Sequence, residues 1–351
     1  MDSVTQLALG AAVGEAVGGR QFGRRALLWG AICGTLPDLD VFVPLGDAVR
    51  DFTYHRSASH SLIVLLALTP LIVWLTLRLH PDTAEHKRRW FVLVYLVFAT
   101  HVLLDSFTVY GTQIFWPLST LPMTWSTIFI VDPLYTLPLL FGVIAALVVS
   151  RHKRWGHQAN TTGLVLSSLY LTWTLGAKWH VEQVAHRALA QQSIDSTQVL
   201  TTPSPLNSLL WRILVVDDEH YYEGFYSVLD DDETVQFERY PRSPDLLETL
   251  SDSWPVQRLQ WFTKGFSATG LNGDGIVITD LRMGLEPVYE FRFKVGEMGN
   301  PHPKAVPVER LPGIRNYDRL GWVWARIWDE QAQFPQGNGD GTAARPARPT
   351  S

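Results

Sequence analysis

Between Arg56 and Arg78 the chain runs through residues 57–77 without an aspartate, glutamate, lysine or arginine. About 20 such residues cross a hydrocarbon layer roughly 30 Å thick as a helix, and few other structures can absorb them. Three more runs resemble it: residues 90–104, ended by Asp105, then 133–150 and 155–177. The pattern predicts four membrane crossings. Charge is divided accordingly. The first 180 residues carry 13 basic and 10 acidic side chains, a net +3; the remaining 171 carry 16 basic and 24 acidic, a net −8. The expected fold class is an all-α polytopic membrane bundle followed by a small α+β extramembrane domain. A single cysteine, Cys33, excludes an intrachain disulfide framework.

Residues 4–19 and 26–37 are apolar but short, and rich in Gly and Ala. Such segments form buried or re-entrant helices, and their small residues allow close helix packing. The N-terminal MDSVTQ has an acid where a signal peptide carries bases, so a cleaved signal is not expected. Bases cluster at Arg20, Arg24 and Arg25, at Lys87, Arg88 and Arg89, and at Arg151, Lys153 and Arg154. If the two short helices traverse as a pair, the positive-inside rule puts all three clusters in the cytoplasm. Residues 38–57, 106–131 and the chain beyond about 180 then face out, with Tyr110, Phe115, Trp116 and Trp125 at headgroup level.

The expected division is a membrane domain with a metal site over 1–185, a linker over 186–206, a soluble domain over 207–331 and a disordered tail over 332–351. In the soluble domain, 209–216, 221–229, 235–240, 275–280 and 288–295 read as strands, with helices near 244–250 and 256–263. The segment from Leu271 to Gly275, LNGDG, lacks the alternating carboxylates of a calcium loop and reads as a hairpin turn. The acidic composition of this half gives no support to a nucleic-acid partner.

Eight ionisable residues lie in or beside the apolar segments: Asp2, Asp38, Asp40, His55, His60, His101, Asp105 and Asp132. Such groups at membrane depth cost on the order of 2.5 kcal/mol each and are usually paired or functional. In the expected topology all eight fall toward the outer face. Carboxylates and imidazoles gathered at one level of a helical bundle point to a divalent metal. His101 and Asp105 share a helix face at i and i+4. Pro37 ends a helix, so Asp38 and Asp40 can point the same way from an extended segment. His55 and His60, in HRSASHS, lead into a span, with Ser59 as its expected N-cap. Asp2 and Asp132 have helix capping as an equally simple alternative. His80, His86, His152 and His157 fall near basic residues, where interfacial roles are expected.

The series MDSVTQLALG, GTLPDLD, HRSASHS, HVLLDSFTVYGTQIFWP, TPSPLNSLLWR and ITDLRMGLEP resembles the YdjM-like family of membrane-bound metal-dependent hydrolases, sometimes labelled LexA-binding. The resemblance covers roughly residues 1–330. It implies an inner-membrane location and, more distantly, likeness to zinc-dependent phospholipase C, which holds zinc with His and Asp ligands including a His-x-x-x-Asp pair. His101 and Asp105 match that pair; Asp38 or Asp40 and His60 match an Asp and a His ligand. The amine and Trp that ligate zinc in the phospholipases have no equivalent at Met1, and Gln6 stands where nearer members often have His.

The expected function is hydrolysis of a phosphoester in a lipid or lipid-linked substrate at the outer face of the inner membrane. One to three divalent ions, zinc first, would be held by Asp38, Asp40, His55, His60, His101 and Asp105, with Asp2 and Asp132 as further candidates. Asp38 or Asp40 would serve as base and Arg56 as phosphate contact; for Arg56, snorkelling to the headgroups is the alternative. The competing readings are a non-catalytic anchor whose outer domain binds a partner, and a metal or proton carrier. The sequence names neither the substrate nor a protein partner.

Overall fold

The computed structural model describes residues 1–149, 154–313 and 318–332. Arg151 and Lys153 of the third basic cluster, His152 between them, and the tail from Gln333 lie outside them. The chain divides into two compact units. One comprises Met1–Leu45, Arg50–Val184 and Thr201–Arg212; the other comprises Gly46–Val49, Ala185–Leu200 and the described residues from Ile213 on.

The first unit is helical. α1 (Ser3–Phe22) and α2 (Arg24–Thr35) form an antiparallel hairpin that reverses at Gly23, where φ is +59°. A Cβ on Gly30 would lie 2.2 Å from the Gly10 carbonyl oxygen, and one on Gly10 would lie 2.3 Å from that of Gly30. The two backbones therefore touch, which only glycine at both positions permits. This contact brings the start of α1 beside the end of α2. There Pro37 opens a 3₁₀ turn over Pro37–Phe42 that carries Asp38 and Asp40.

A short α3 (Ala48–Tyr54) and a 3₁₀ turn at Ala58–His60 lead into α4 (Leu62–Leu79). Ser61, not Ser59, caps α4, accepting from the amides of Ile63 and Val64. α5 (Lys87–Ser106) is the central helix. Its Trp90, Leu93, Val94, Val97, Phe98 and Val102 are buried against Phe22, Trp29 and Cys33, and Phe22 stacks on Trp90 with ring centroids 3.9 Å apart. α6 (Pro133–Val148) starts at the Asp132 cap, and α7 (Arg154–Gln191) completes the set.

Among the described residues, Leu62–Leu79 and Pro81–Ser106 are the helical stretches long and apolar enough to cross a membrane. Four crossings were expected. α6 is apolar but has 16 residues. In α7, Gln158, Asn160, Thr161 and Thr162 interrupt the apolar run. Asn160 has a packing role: buried Glu15 of α1 accepts from its Nδ2 at 2.9 Å and pairs with His157 Nδ1 at 3.2 Å. His157, expected at the interface, is thus tied between helices.

The C-terminal half is α+β. The stretch expected to be a linker continues α7 to Gln191 and then forms β1 (Gln198–Pro203). A sheet in the order β1-β2-β3-β4 adds β2 (Leu210–Val216), β3 (His220–Ser227) and β4 (Glu238–Pro241). After a 3₁₀ turn at Pro244–Leu250 and α8 (Trp254–Thr263) come β5 (Ser267–Asn272) and β6 (Gly275–Asp280). Their hairpin pairs Asn272 with Gly275, so LNGDG is a turn, with Gly273 at φ +59°. The strand expected over 288–295 is two: β8 (Val288–Tyr289), paired with β7 (Gly284–Leu285), and β9 (Arg292–Glu297). With β10 (Lys304–Leu311), β9 completes a second antiparallel sheet, β10-β9-β6-β5. α9 (Asp318–Trp328) closes the described chain. Its Arg326 makes a bidentate pair with Asp230, both contacts 2.7 Å, which explains one carboxylate of the acidic turn after β3.

Candidate metal centre

Four elements end at one level of the helical unit: the start of α1, the 3₁₀ turn after α2, the 3₁₀ turn before α4 and the end of α5. Asp38, His60, His101 and Asp105 each offer one ligand atom there, and the four atoms all lie within 4.8 Å of one another. His60 Nε2 stands 3.2 Å from His101 Nε2, 3.4 Å from Asp38 Oδ1 and 3.1 Å from Asp105 Oδ2. His101 Nε2 stands 3.7 Å from Asp38 Oδ1 and 3.6 Å from Asp105 Oδ2. A tetrahedral ion with ligand bonds of about 2.0–2.1 Å has ligand-to-ligand edges of about 3.3 Å. The donor set fits one.

The tautomers follow from the neighbours. His101 Nδ1 lies 2.7 Å from the Gly34 carbonyl oxygen, which can only accept, so Nδ1 holds the proton. Ser59 Oγ donates to Asp40 Oδ2 at 2.5 Å and so accepts from His60 Nδ1 at 3.0 Å. In the neutral rings both Nε2 atoms then present lone pairs to the same point, beside two carboxylate oxygens. Four converging lone pairs repel one another unless a cation lies among them. Asp105 Oδ2, fully buried, has His60 Nε2 at 3.1 Å and Arg56 Nε at 3.3 Å as its polar neighbours.

Around this centre the positive charge is partial. Arg56 Nε lies 3.3 Å from Asp105 Oδ2, its Nη1 donates to Thr108 Oγ1 at 3.3 Å, and its guanidinium sits over the Tyr110 ring. The side chain is buried, so it does not snorkel. Arg56 also has a left-handed backbone, φ +61°, which turns its amide onto Asp40 Oδ2 at 3.1 Å. Asp105 Oδ1 accepts from Gln6 Nε2 at 3.0 Å and from the Met1 amine. The amine, expected to have no equivalent here, contacts the carboxylate of the His-x-x-x-Asp pair. Gln6, standing where nearer members often have His, serves as a donor to that carboxylate.

Asp40, expected among the ligands, instead collects His55 Nδ1 at 2.8 Å, the Arg56 amide and the Ser59 hydroxyl. Burial alone would raise its pKa, but His55, His60 and Ser59 together outweigh burial and bring it down to about 2. His55 is held by Asp40, its ring edge-on to His60 and Tyr110. For Asp38, burial also opposes ionisation, and His60 and His101 reverse the effect and lower its pKa. For His60, burial pushes the pKa down, and the Asp105 and Asp38 carboxylates raise it by more. Asp2 caps α1 through the amides of Val4 and Thr5, and Asp132 caps α6 while accepting from Tyr170 at 2.7 Å. These two do not join the four-residue group.

The family model described as YdjM inner membrane protein matches residues 1–181, which include every one of these site residues. The chain belongs to the YdjM inner membrane protein family. No curated protein and no solved structure matches it. In this YdjM protein the matched region supplies all four candidate ligands, while β1 to β10, α8 and α9 lie beyond it. Sequence reasoning overlooked the part played by Ser59, whose only signal was the alternation of serines at 57, 59 and 61 around the two histidines.

Proposed function

We propose that this YdjM protein is a membrane-bound metal-dependent hydrolase that cleaves a phosphoester of a lipid or lipid-linked substrate. The observation that carries this reading is the convergence of two tautomer-locked imidazoles and two carboxylates on one point, at the end of two helices apolar enough to cross a membrane. An N₂O₂ donor set suits zinc. A divalent ion held by residues of the set Asp38, His60, His101 and Asp105, with a position left open to water, would supply Lewis-acid polarisation and activation of that water near neutral pH.

The chain's own groups do the rest. Asp40 holds the His55 Nδ1 proton, which leaves Nε2 as the nitrogen that accepts or releases a proton beside the site. Arg56 pairs with Asp105 at 3.3 Å and offers guanidinium charge to a phosphoryl oxygen. Ser59 and the Gly34 carbonyl hold the two ligand rings in register. An outer-face location is supported by the basic residues: Arg20, Arg24 and Arg25, and Lys87 to Arg89, lie at the ends of α1, α2 and α5 remote from the site. The C-terminal α+β region then lies on the outer side.

The test is metal content together with turnover. Wild-type protein washed with chelator should retain or rebind zinc stoichiometrically and hydrolyse phospholipid or a chromogenic phosphodiester, and Asp38→Ala and His101→Ala should do neither. Hydrolysis by both variants at the wild-type rate would remove the proposal. A second reading, a non-catalytic anchor, rests on the charge compensation of Asp105 by Arg56 and the Met1 amine. It predicts full stability and no bound metal.

A further inference from the structure

The 3₁₀ turn Pro37–Phe42 has two faces. Asp38 and Asp40 are half-buried toward the histidines, while Leu39, Val41 and Phe42 are 50%, 67% and 79% exposed. A second loop beside the site repeats the arrangement. Gln113 donates its amide to the Arg56 carbonyl, and Leu62, the first residue of α4, donates its amide to the Ile114 carbonyl at 3.0 Å. Ser61, the cap of α4, donates its hydroxyl to the Trp116 carbonyl. From this anchored segment Leu118 and Leu121 stand 84% and 60% exposed. Apolar side chains this exposed, on two loops at one end of a spanning helix, are costly in water and match an acyl layer. The first two turns of α4 extend the same character with exposed Ile63 and Leu66.

We propose that these two loops form an apolar lip that enters the acyl–headgroup boundary of the leaflet at the start of α4, so that the Asp/His centre takes the polar head of a membrane lipid sliding in from that leaflet. Its phosphate lies at the centre beside the Arg56 guanidinium, and its hydrocarbon lies on Leu39, Val41 and Phe42. The bilayer is the occupant because the second loop is hydrogen-bonded to the first turn of α4 and so continues the lipid-facing surface of a spanning helix. The lipid-substrate part of this inference rests on the hydrolase reading; the insertion part does not.

The test uses full-length protein in vesicles of phosphatidylethanolamine and phosphatidylglycerol. Nitroxide labels on Phe42→Cys and Leu118→Cys, with native Cys33 buried, are compared with labels on Leu71→Cys of α4 and Asp274→Cys of the β5–β6 hairpin. Collisions with oxygen and with an aqueous nickel chelate should place positions 42 and 118 between those two references. Labels at 42 and 118 as open to the nickel chelate as position 274 would overturn the lip. In parallel, a Phe42→Ser/Leu118→Ser double variant should raise KM for phospholipid vesicles about tenfold, through lost apolar contact, and leave kcat/KM for a water-soluble phosphodiester unchanged. Equal loss on both substrates, or loss on neither, overturns lateral lipid entry. If metal-loaded wild type turns over neither substrate, the hydrolase reading fails while the label depths still decide the lip.

Discussion

His60 Nε2 and His101 Nε2 face each other across 3.2 Å, each with its other ring nitrogen committed to a different neighbour. Two imidazoles from segments 41 residues apart can meet in this way without repulsion only around a proton or a cation. The flanking carboxylates of Asp38 and Asp105 stabilise positive charge at that point in either form.

The Ser59 hydroxyl links Asp40 to His60 and so fixes which His60 nitrogen faces the centre. Ser59→Ala should therefore weaken metal affinity about 10- to 100-fold, in the range seen for outer-shell partners. Competition with a chromogenic chelator reads the affinity, and circular dichroism should show an unchanged helix content. An unaltered affinity would mean that the ring is held by packing alone.

Metal affinity should depend on pH through His60. The neighbouring carboxylates raise its pKa against the effect of burial, so the metal-free protein keeps this ring protonated to higher pH than a free histidine. Metal binding must displace that proton. Apparent affinity should fall as pH is lowered, by about tenfold per unit for one displaced proton. Equilibrium dialysis with zinc across neutral to mildly acidic pH measures the slope; a flat profile would show that His60 is neutral before the metal arrives.

Gly30→Val should damage stability and site together. Its side chain has no room against the Gly10 carbonyl, and overpacking of this kind costs about 1–3 kcal/mol. Because the Gly34 carbonyl and Asp38 follow on the same helix and turn, metal should be lost as well. Gly176→Ala, where a Cβ meets nothing within 4 Å, is the control and should be neutral or slightly stabilising in a thermal melt in detergent.

In the C-terminal region, Asp230→Ala should release α9. It leaves the buried Arg326 guanidinium without its bidentate partner, which costs about 3–5 kcal/mol. Hydrogen exchange should rise across Asp318–Trp328 while zinc content stays at the wild-type level.

Much of the chain was legible from local pattern. The uncharged run at 57–77 became α4, Asp132-Pro133 became the start of α6, and the glycines of the first 37 residues became the contact surface of a helix pair. β2 and β6 also fall close to where β-branched runs placed them. β1, β5 and β10 were not foreseen; each has little continuous apolar sequence and is held by pairing with a neighbour. Of the eight ionisable residues, four form the group, two cap helices, and Asp40 and His55 pair with each other. Spacing could not separate these roles.

By itself the sequence determined the apolar helices, the caps and the chemical kinds of side chain available at one level, because periodicity, charge and capping act over a few residues. Which of those side chains share a single point was decided only by tertiary structure. Ligand distances depend on shifts of less than 1 Å, and here they are set by the glycine contact between α1 and α2 and by Asp40 gathering His55, Arg56 and Ser59 from more than a dozen residues away.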